Sequence, residues 1–231
     1  MSASSQATTA STSTITGWCA RCGASHAIEH DGAKATAALW RALEERPALT
    51  AALTAQAPKM VGCLVGLDGD EEVVLLAISG DLGGVQDVDG CVPSVVRREH
   101  TAALETDTLA AIARHTTALE AATTEDARRA AKAVRRAASA TLMAAMIDAT
   151  VLVTRGQRLV PLREAFVGGG IPSGTADCAL PKLLVEANRR ALRIVGVDER
   201  LFSPGTPRHG EHVGPCARRC EPILGALLCT A

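Results

Sequence analysis

At 231 residues, with 24 Lys and Arg against 25 Asp and Glu, the chain has the length of one sizeable domain and a formal charge of −1. That balance excludes binding to polyanions by bulk charge and leaves only a local basic face for the purpose. Aromatic residues make up 2% and tyrosine is absent, so the core must be built from Leu, Val, Ile and Ala, and stacking platforms for single-stranded nucleic acid are scarce.

No secretory h-region, membrane-spanning run or lipidation motif is read in the sequence, and no membrane partner is expected. Eight cysteines without a leader point to a cytoplasmic, reducing setting, where metal binding and free thiols prevail over disulfides. Residues 1–16 are almost wholly Ser, Thr and Ala, and are expected to form a disordered tail before a single α/β domain over 17–231.

Cys19-Ala20-Arg21-Cys22-Gly23 is a knuckle-like turn that resembles half of a zinc ribbon. With His26 it is a candidate second metal set, His30 being the other imidazole in reach; two free thiols are the alternative. Residues 33–56 carry Leu39, Trp40, Leu43, Leu49 and Leu53 at helical spacing, interrupted at Pro47. Met60–Leu67 and Val73–Ile78 are apolar runs joined through Asp68-Gly69-Asp70, which predicts a β-hairpin in the middle of a sheet covered by helices. Cys63 falls inside it as a small core residue.

Residues 80–96 form a Gly- and Asp-rich loop, and 98–150 read as a helical hairpin inserted into the domain, broken near Thr123–Asp126. Its second half bears Arg128, Arg129, Lys132, Arg135 and Arg136, either a solvated face or a nucleic-acid-contacting one. A short element over Leu159–Phe166, a strand over Leu192–Val197 and a final helix over Pro222–Leu228 complete the order. Cys91 and Cys229 receive no role.

The chemistry is concentrated in Gly174-Thr-Ala-Asp-Cys178-Ala-Leu-Pro and Gly214-Pro-Cys216-Ala-Arg-Arg-Cys220-Glu-Pro. Each is a turn running into an apolar helical stretch. Helix N-termini favour the thiolate a metal needs. Cys178, Cys216 and Cys220 are therefore expected to hold one Zn2+, and three protein ligands leave an open position of the catalytic kind. The alternative is a structural zinc closed by His209 as fourth ligand, stapling two helices without chemistry.

The order helix, hairpin, helix with Cys178, strand, helix with Cys216 and Cys220 resembles that of zinc-dependent nucleobase deaminases, in which a Pro-Cys-x2-Cys turn opens the third helix. Here one extra residue precedes Cys220. The resemblance implies a deaminase-like mixed sheet covered by helices, with the helical hairpin as an insertion. It also implies a proton-carrying Glu two residues after the first ligand, where this chain has Leu180. Asp177, His209 and Glu211 are the candidates left for proton handling.

Further segments resemble the N-terminal extension of a bacterial group of RluA-type pseudouridine synthases. They include Lys59-Met60-Val61-Gly62-Cys63-Leu64-Val65, Ala77-Ile78-Ser79-Gly80-Asp81-Leu82, the run from Gly170 to Leu184, Arg208-His209-Gly210 and the run from Pro215 to Gly225. The synthase motif His-Arg-Leu-Asp does not occur, so uridine isomerisation is not implied. An association with RNA modification is, with a separately encoded RNA-modifying enzyme as a candidate partner. Among the matching residues, Lys182 and Arg208 are candidates for substrate binding. The expectation is thus a deaminase-like zinc protein acting on RNA or a nucleobase-containing small molecule, or else a non-catalytic RNA-binding accessory domain with a structural zinc.

Overall fold

The computed structural model describes residues 12–85, 87–96 and 102–231. The chain is mixed α/β. Strand β1 (Thr12–Cys19) pairs antiparallel with β2 (Ala24–Asp31), Ile15 standing opposite Ile28. The expected tail therefore needs correcting: residues 1–11 lie outside the described residues, but 12–16 are strand. The physical reason is that Thr12, Thr14, Ile15 and Thr16 are β-branched, and Ile15 has an apolar core to pack on.

Helix α1 (Gly32–Glu44) begins where the Asp31 side chain accepts the N–H of Lys34 at 3.0 Å, satisfying one of the orphan donors of a helix start. Pro47 does not kink this helix but opens a new one, α2 (Pro47–Ala55), in keeping with a residue that lacks an N–H to donate. Strands β3 (Lys59–Asp68) and β4 (Glu71–Ile78) form the expected hairpin, turned at Gly69, whose φ is +60°.

A third strand, β7 (Arg193–Phe202), pairs antiparallel with the other side of β3, giving the order β4-β3-β7. So β3 is central and β4 is an edge, with Val74 41% exposed; only one of the two hairpin strands is interior. Strand β7 runs past the apolar stretch to Phe202 because Asp198, Glu199 and Arg200 keep the ladder with β3 while their side chains find partners.

Alternation along β3 divides the core. Val61, Cys63 and Val65 pack with Leu39, Leu43 and Leu53 of α1 and α2, whereas Leu64 joins the cluster of Leu183, Leu184 and Ile223. Those last residues belong to α6 (Ala179–Arg189) and α7 (Glu221–Leu228). Burying each Leu stabilises the fold by about 2 kcal/mol. Gly62 lets α6 lie close on the sheet, since a Cβ there would stand 2.9 Å from Leu183 Cδ1.

The remaining helices are α3 (Ala102–Ala121) and α4 (Glu125–Ala149), which pack on each other, and the single turn α5 (Leu162–Ala165). Helix α4 starts at the Thr124 side chain, which accepts the N–H of Ala127. Strands β5 (Val151–Val153) and β6 (Leu159–Pro161) form a small hairpin leading into α5. No helix among the described residues is long and apolar enough to cross a membrane.

Candidate metal centre

Cys178 is the residue from which α6 starts and Cys220 the one from which α7 starts. Helix α6 lies on the β4-β3-β7 sheet and α7 on the β1–β2 hairpin, and the contact between the two helices draws their N-termini together. The sulfurs of Cys178, Cys216 and Cys220 all lie within 4.8 Å of one another, with Cys216 and Cys220 3.6 Å apart. All eight cysteines are free thiols. Ligand sulfurs at about 2.3 Å from one tetrahedral centre stand about 3.8 Å apart, so the donor set fits a metal ion. No fourth Cys, His, Asp or Glu shares this cluster among the described residues.

The electrostatics favour a thiolate at Cys178. The Cys220 thiol donating to it lowers its pKa to about 6, against the opposing effect of burial and with help from the Arg219 charge. The same hydrogen bond, together with burial, pushes Cys220 upward.

A second donor set lies at the other end of α7. Cys19, Cys22, His26 and Cys229 place their ligand atoms within 4.8 Å of one another. Cys22 Sγ is 3.0 Å from His26 Nε2 and 3.8 Å from Cys229 Sγ. Cys19 and Cys22 come together because Gly23, with φ of +67°, closes the β1–β2 turn. Cys229 arrives through backbone-to-backbone packing of α7 on β1: a Cβ on Gly225 would fall 1.9 Å from the Trp18 carbonyl oxygen, and one on Gly17 2.3 Å from the Gly225 nitrogen. Four donors are the number that a closed structural site takes, so this set could hold a metal ion without an open position. Cys229, which received no role from sequence alone, supplies the fourth donor of the set.

The proton-handling candidates are placed elsewhere. His209 stacks edge-on against Trp40 and Phe202, and its Nδ1 accepts the N–H of Ser203 at 3.1 Å. It is a packing residue outside the thiol cluster. Glu211 is exposed and pairs with Arg208, whose hydrogen bond holds its carboxyl below the usual range; each occupies the other in the loop after β7. Asp177 pairs with Lys182 at 2.9 Å and accepts from Ser94 Oγ at 3.0 Å.

Lys182 is buried and donates also to the carbonyls of Ile78 and Gly80, at 3.1 and 3.0 Å. An ammonium has three protons to donate, and all three are engaged inside the protein, so Lys182 ties α6 to the end of β4 instead of meeting a ligand. On α4, Arg128, Arg129, Lys132 and Arg136 are exposed and Arg135 half-buried. Arg129 pairs with Asp126 and Arg128 donates to the Ala122 carbonyl.

The residue missing from the sequence reasoning is Glu199. Gly62 is its register partner on β3, and its Oε1 accepts the N–H of Leu180, in the first turn of α6, at 2.9 Å. Glu199 is 7% exposed. Burial raises its pKa to about 7, the Leu180 N–H acting against this and the nearby Cys178 and Asp198 charges with it. The signal in the sequence was the polar triplet Asp198-Glu199-Arg200 directly after an apolar strand run.

Beside Glu199 opens a pocket of about 360 Å³, lined among others by Ile15, His30, Leu180, Asp198, Arg200 and Pro215. Asp198 accepts from Thr36 Oγ1 at 2.6 Å, pairs with Arg200, and lies 2.7 Å from His212 Nδ1. His30 is buried, and burial lowers its pKa despite the Asp198 and Asp31 carboxylates.

The arrangement therefore brings a buried carboxyl to the first turn of the helix that starts at the three-thiol set, beside a pocket of small-molecule size that none of the three thiols lines, with the four-donor set at the turn of the hairpin that gives one wall. No family model, curated protein or solved structure significantly matches the chain.

Proposed function

We propose that the chain is a zinc-dependent hydrolase of the deaminase kind, releasing ammonia from an amino-bearing nucleobase or a small molecule that contains one, with a link to RNA modification. The observation that carries this is the Glu199 carboxyl held at the backbone of Leu180. Zinc nucleobase deaminases carry their proton-transferring Glu two residues after the first ligand, a position that is Leu180 here. A carboxyl from β7 hydrogen-bonded to that residue brings the missing acid to the same helix turn by another route. The antiparallel order β4-β3-β7, with α6 on one face and α1 on the other, also agrees with a deaminase-like core, into which α3 and α4 would be the insertion.

Cys178, Cys216 and Cys220 would hold the zinc, which supplies a Lewis acid that makes water a nucleophile near neutral pH. Water oxygen replaces the amino nitrogen on the ring carbon, and the nitrogen leaves as ammonia. Glu199 takes the proton from the attacking water and returns it to the departing amine, a task suited to a group whose pKa of about 7 matches the medium. Apolar side chains such as Leu180 and Val197 keep bulk water from the reacting atoms.

The test is ammonia release from cytosine, adenine, guanine and their nucleosides by zinc-loaded protein. Glu199→Gln is expected to lower kcat by about a hundredfold or more while zinc content stays unchanged. Equal turnover in wild type and Glu199→Gln, or no ammonia from any of these compounds, contradicts the proposal.

A second function, a non-catalytic RNA-binding accessory domain, is favoured by one observation: Lys132 and Arg136 on α4 are exposed, and neither takes part in the ion pairs found among the described residues.

A further inference from the structure

Among the described residues, one buried side-chain nitrogen or oxygen has no hydrogen-bond partner: Nδ1 of His30. The residue is 8% exposed and lines the pocket beside Glu199. Leaving a buried imidazole nitrogen unpaired costs about 1–3 kcal/mol, and folded proteins seldom keep such a group without a use for it. Every other strongly polar group of that wall has partners. Asp198 is occupied by Thr36, Arg200 and His212, and each of the three Arg200 nitrogens already donates, to Asp198, Gly210 and Thr36.

The charges and dimensions of the pocket restrict what it accepts. No lysine lines it, and the single arginine is neutralised by Asp198. Glu199 adds acidity on the neighbouring side. A phosphate would meet carboxylates with no unpaired cation to receive it. At about 360 Å³ the pocket stands at the low end of small-molecule sites, which run from about 300 to 1,000 Å³. Ile15, Leu180, Val197, Val213 and Pro215 give it apolar walls, which suit a flat ring.

We infer that this pocket binds one small uncharged nitrogen heterocycle, inserted without phosphate, whose hydrogen-bonding edge is read by Nδ1 of His30. This deepens the hydrolytic function above and rests on it for the identity of the reacting group. A ligand with a complementary edge gives this nitrogen a partner and a ligand without one does not, which makes the contact selective. The hairpin β1–β2, which supplies Ile15 and His30, is fixed in place by the four-donor set at its turn and by α7.

The experiment is calorimetric titration of zinc-loaded Glu199→Gln protein, where binding is read apart from turnover, with cytosine, adenine, cytidine, adenosine and the two 5′-monophosphates as probes. At least one uncharged probe is expected to bind, and to bind more tightly than its monophosphate. Adding His30→Leu is expected to weaken it tenfold or more with zinc content unchanged. Ala33→Trp, at an exposed position on the pocket rim, is expected to abolish binding without disturbing the core. The inference is overturned by absence of binding for all six probes, by preference for a monophosphate, or by undiminished affinity in either variant. Binding without ammonia release in the Glu199-intact protein would remove the hydrolytic proposal and leave the pocket assignment standing. Ammonia release whose KM ignores both His30→Leu and Ala33→Trp would do the reverse.

Discussion

Glu199 Oε1 accepts the backbone N–H of Leu180 at 2.9 Å, joining the polar end of β7 to the first turn of the helix that starts at Cys178. One hydrogen bond thereby fixes both the carboxyl and the start of α6 relative to each other. It satisfies one of the donors that every helix start leaves unpaired, and it holds the carboxyl on the thiol side of the sheet.

The titration of Glu199 has a definite sign. Its pKa is raised in the fold to about 7 from the ordinary 4.5, chiefly by burial. The folded state therefore binds more protons than the unfolded state between those values. Stability relative to Glu199→Gln is greatest below about 4.5, falls as pH rises through about 7, and levels off above. The change amounts to a few kcal/mol. Urea unfolding of both proteins, freed of metal, from pH 5 to 8 measures it; a wild type that gains stability relative to Glu199→Gln as pH rises would contradict the burial argument.

Lys182 is a structural cation. Replacing it by Met leaves the carbonyls of Ile78 and Gly80 without this donor and Asp177 without its cation, with the Ser94 hydroxyl remaining on Asp177, and breaking such a pair costs about 3 kcal/mol. The urea midpoint should fall accordingly. A Lys182→Met protein of unchanged stability that fails to bind an anionic ligand would return Lys182 to substrate recognition.

Gly225→Ala addresses how α7 meets β1. A methyl group placed 1.9 Å from the Trp18 carbonyl oxygen forces the two backbones apart, an overpacking cost of about 1–3 kcal/mol or more. It should also draw Cys229 away from Cys19 and Cys22, so metal content should fall by one ion per chain while circular dichroism still reports a folded domain.

The basic face of α4 separates the two functions. If hydrolysis of a small heterocycle is the activity, Lys132→Glu with Arg136→Glu leaves ammonia release unchanged. If RNA binding is the function, the same double variant weakens RNA affinity tenfold or more and flattens its salt dependence.

Local signals carried much of the design. Turn residues ahead of Cys178 and Cys220 mark two helix starts, and Gly69 between two apolar runs marks the β3–β4 hairpin. What the sequence concealed depends on contacts distant along the chain. Cys229 reaches Cys22 only because Gly17 and Gly225 let a helix lie directly on a strand, and no periodicity in either segment encodes that approach. Glu199 falls just beyond the apolar run Leu192–Val197, where polar residues ordinarily mean solvent, but β7 continues to Phe202 and the closeness of α6 to Gly62 buries it. Lys182 has the spacing of a ligand-facing residue on α6; that its charge is consumed by Asp177 and two carbonyls becomes visible only when the end of β4 is folded beside it.

The most direct measurement is elemental analysis of zinc in protein purified without added metal, for wild type, Cys178→Ser and Cys229→Ser. Two independent donor sets predict two zinc ions per chain in wild type and one in each variant. No zinc in wild type, or the same content in all three proteins, would contradict the assignment of both sets as metal centres and with it the hydrolytic function.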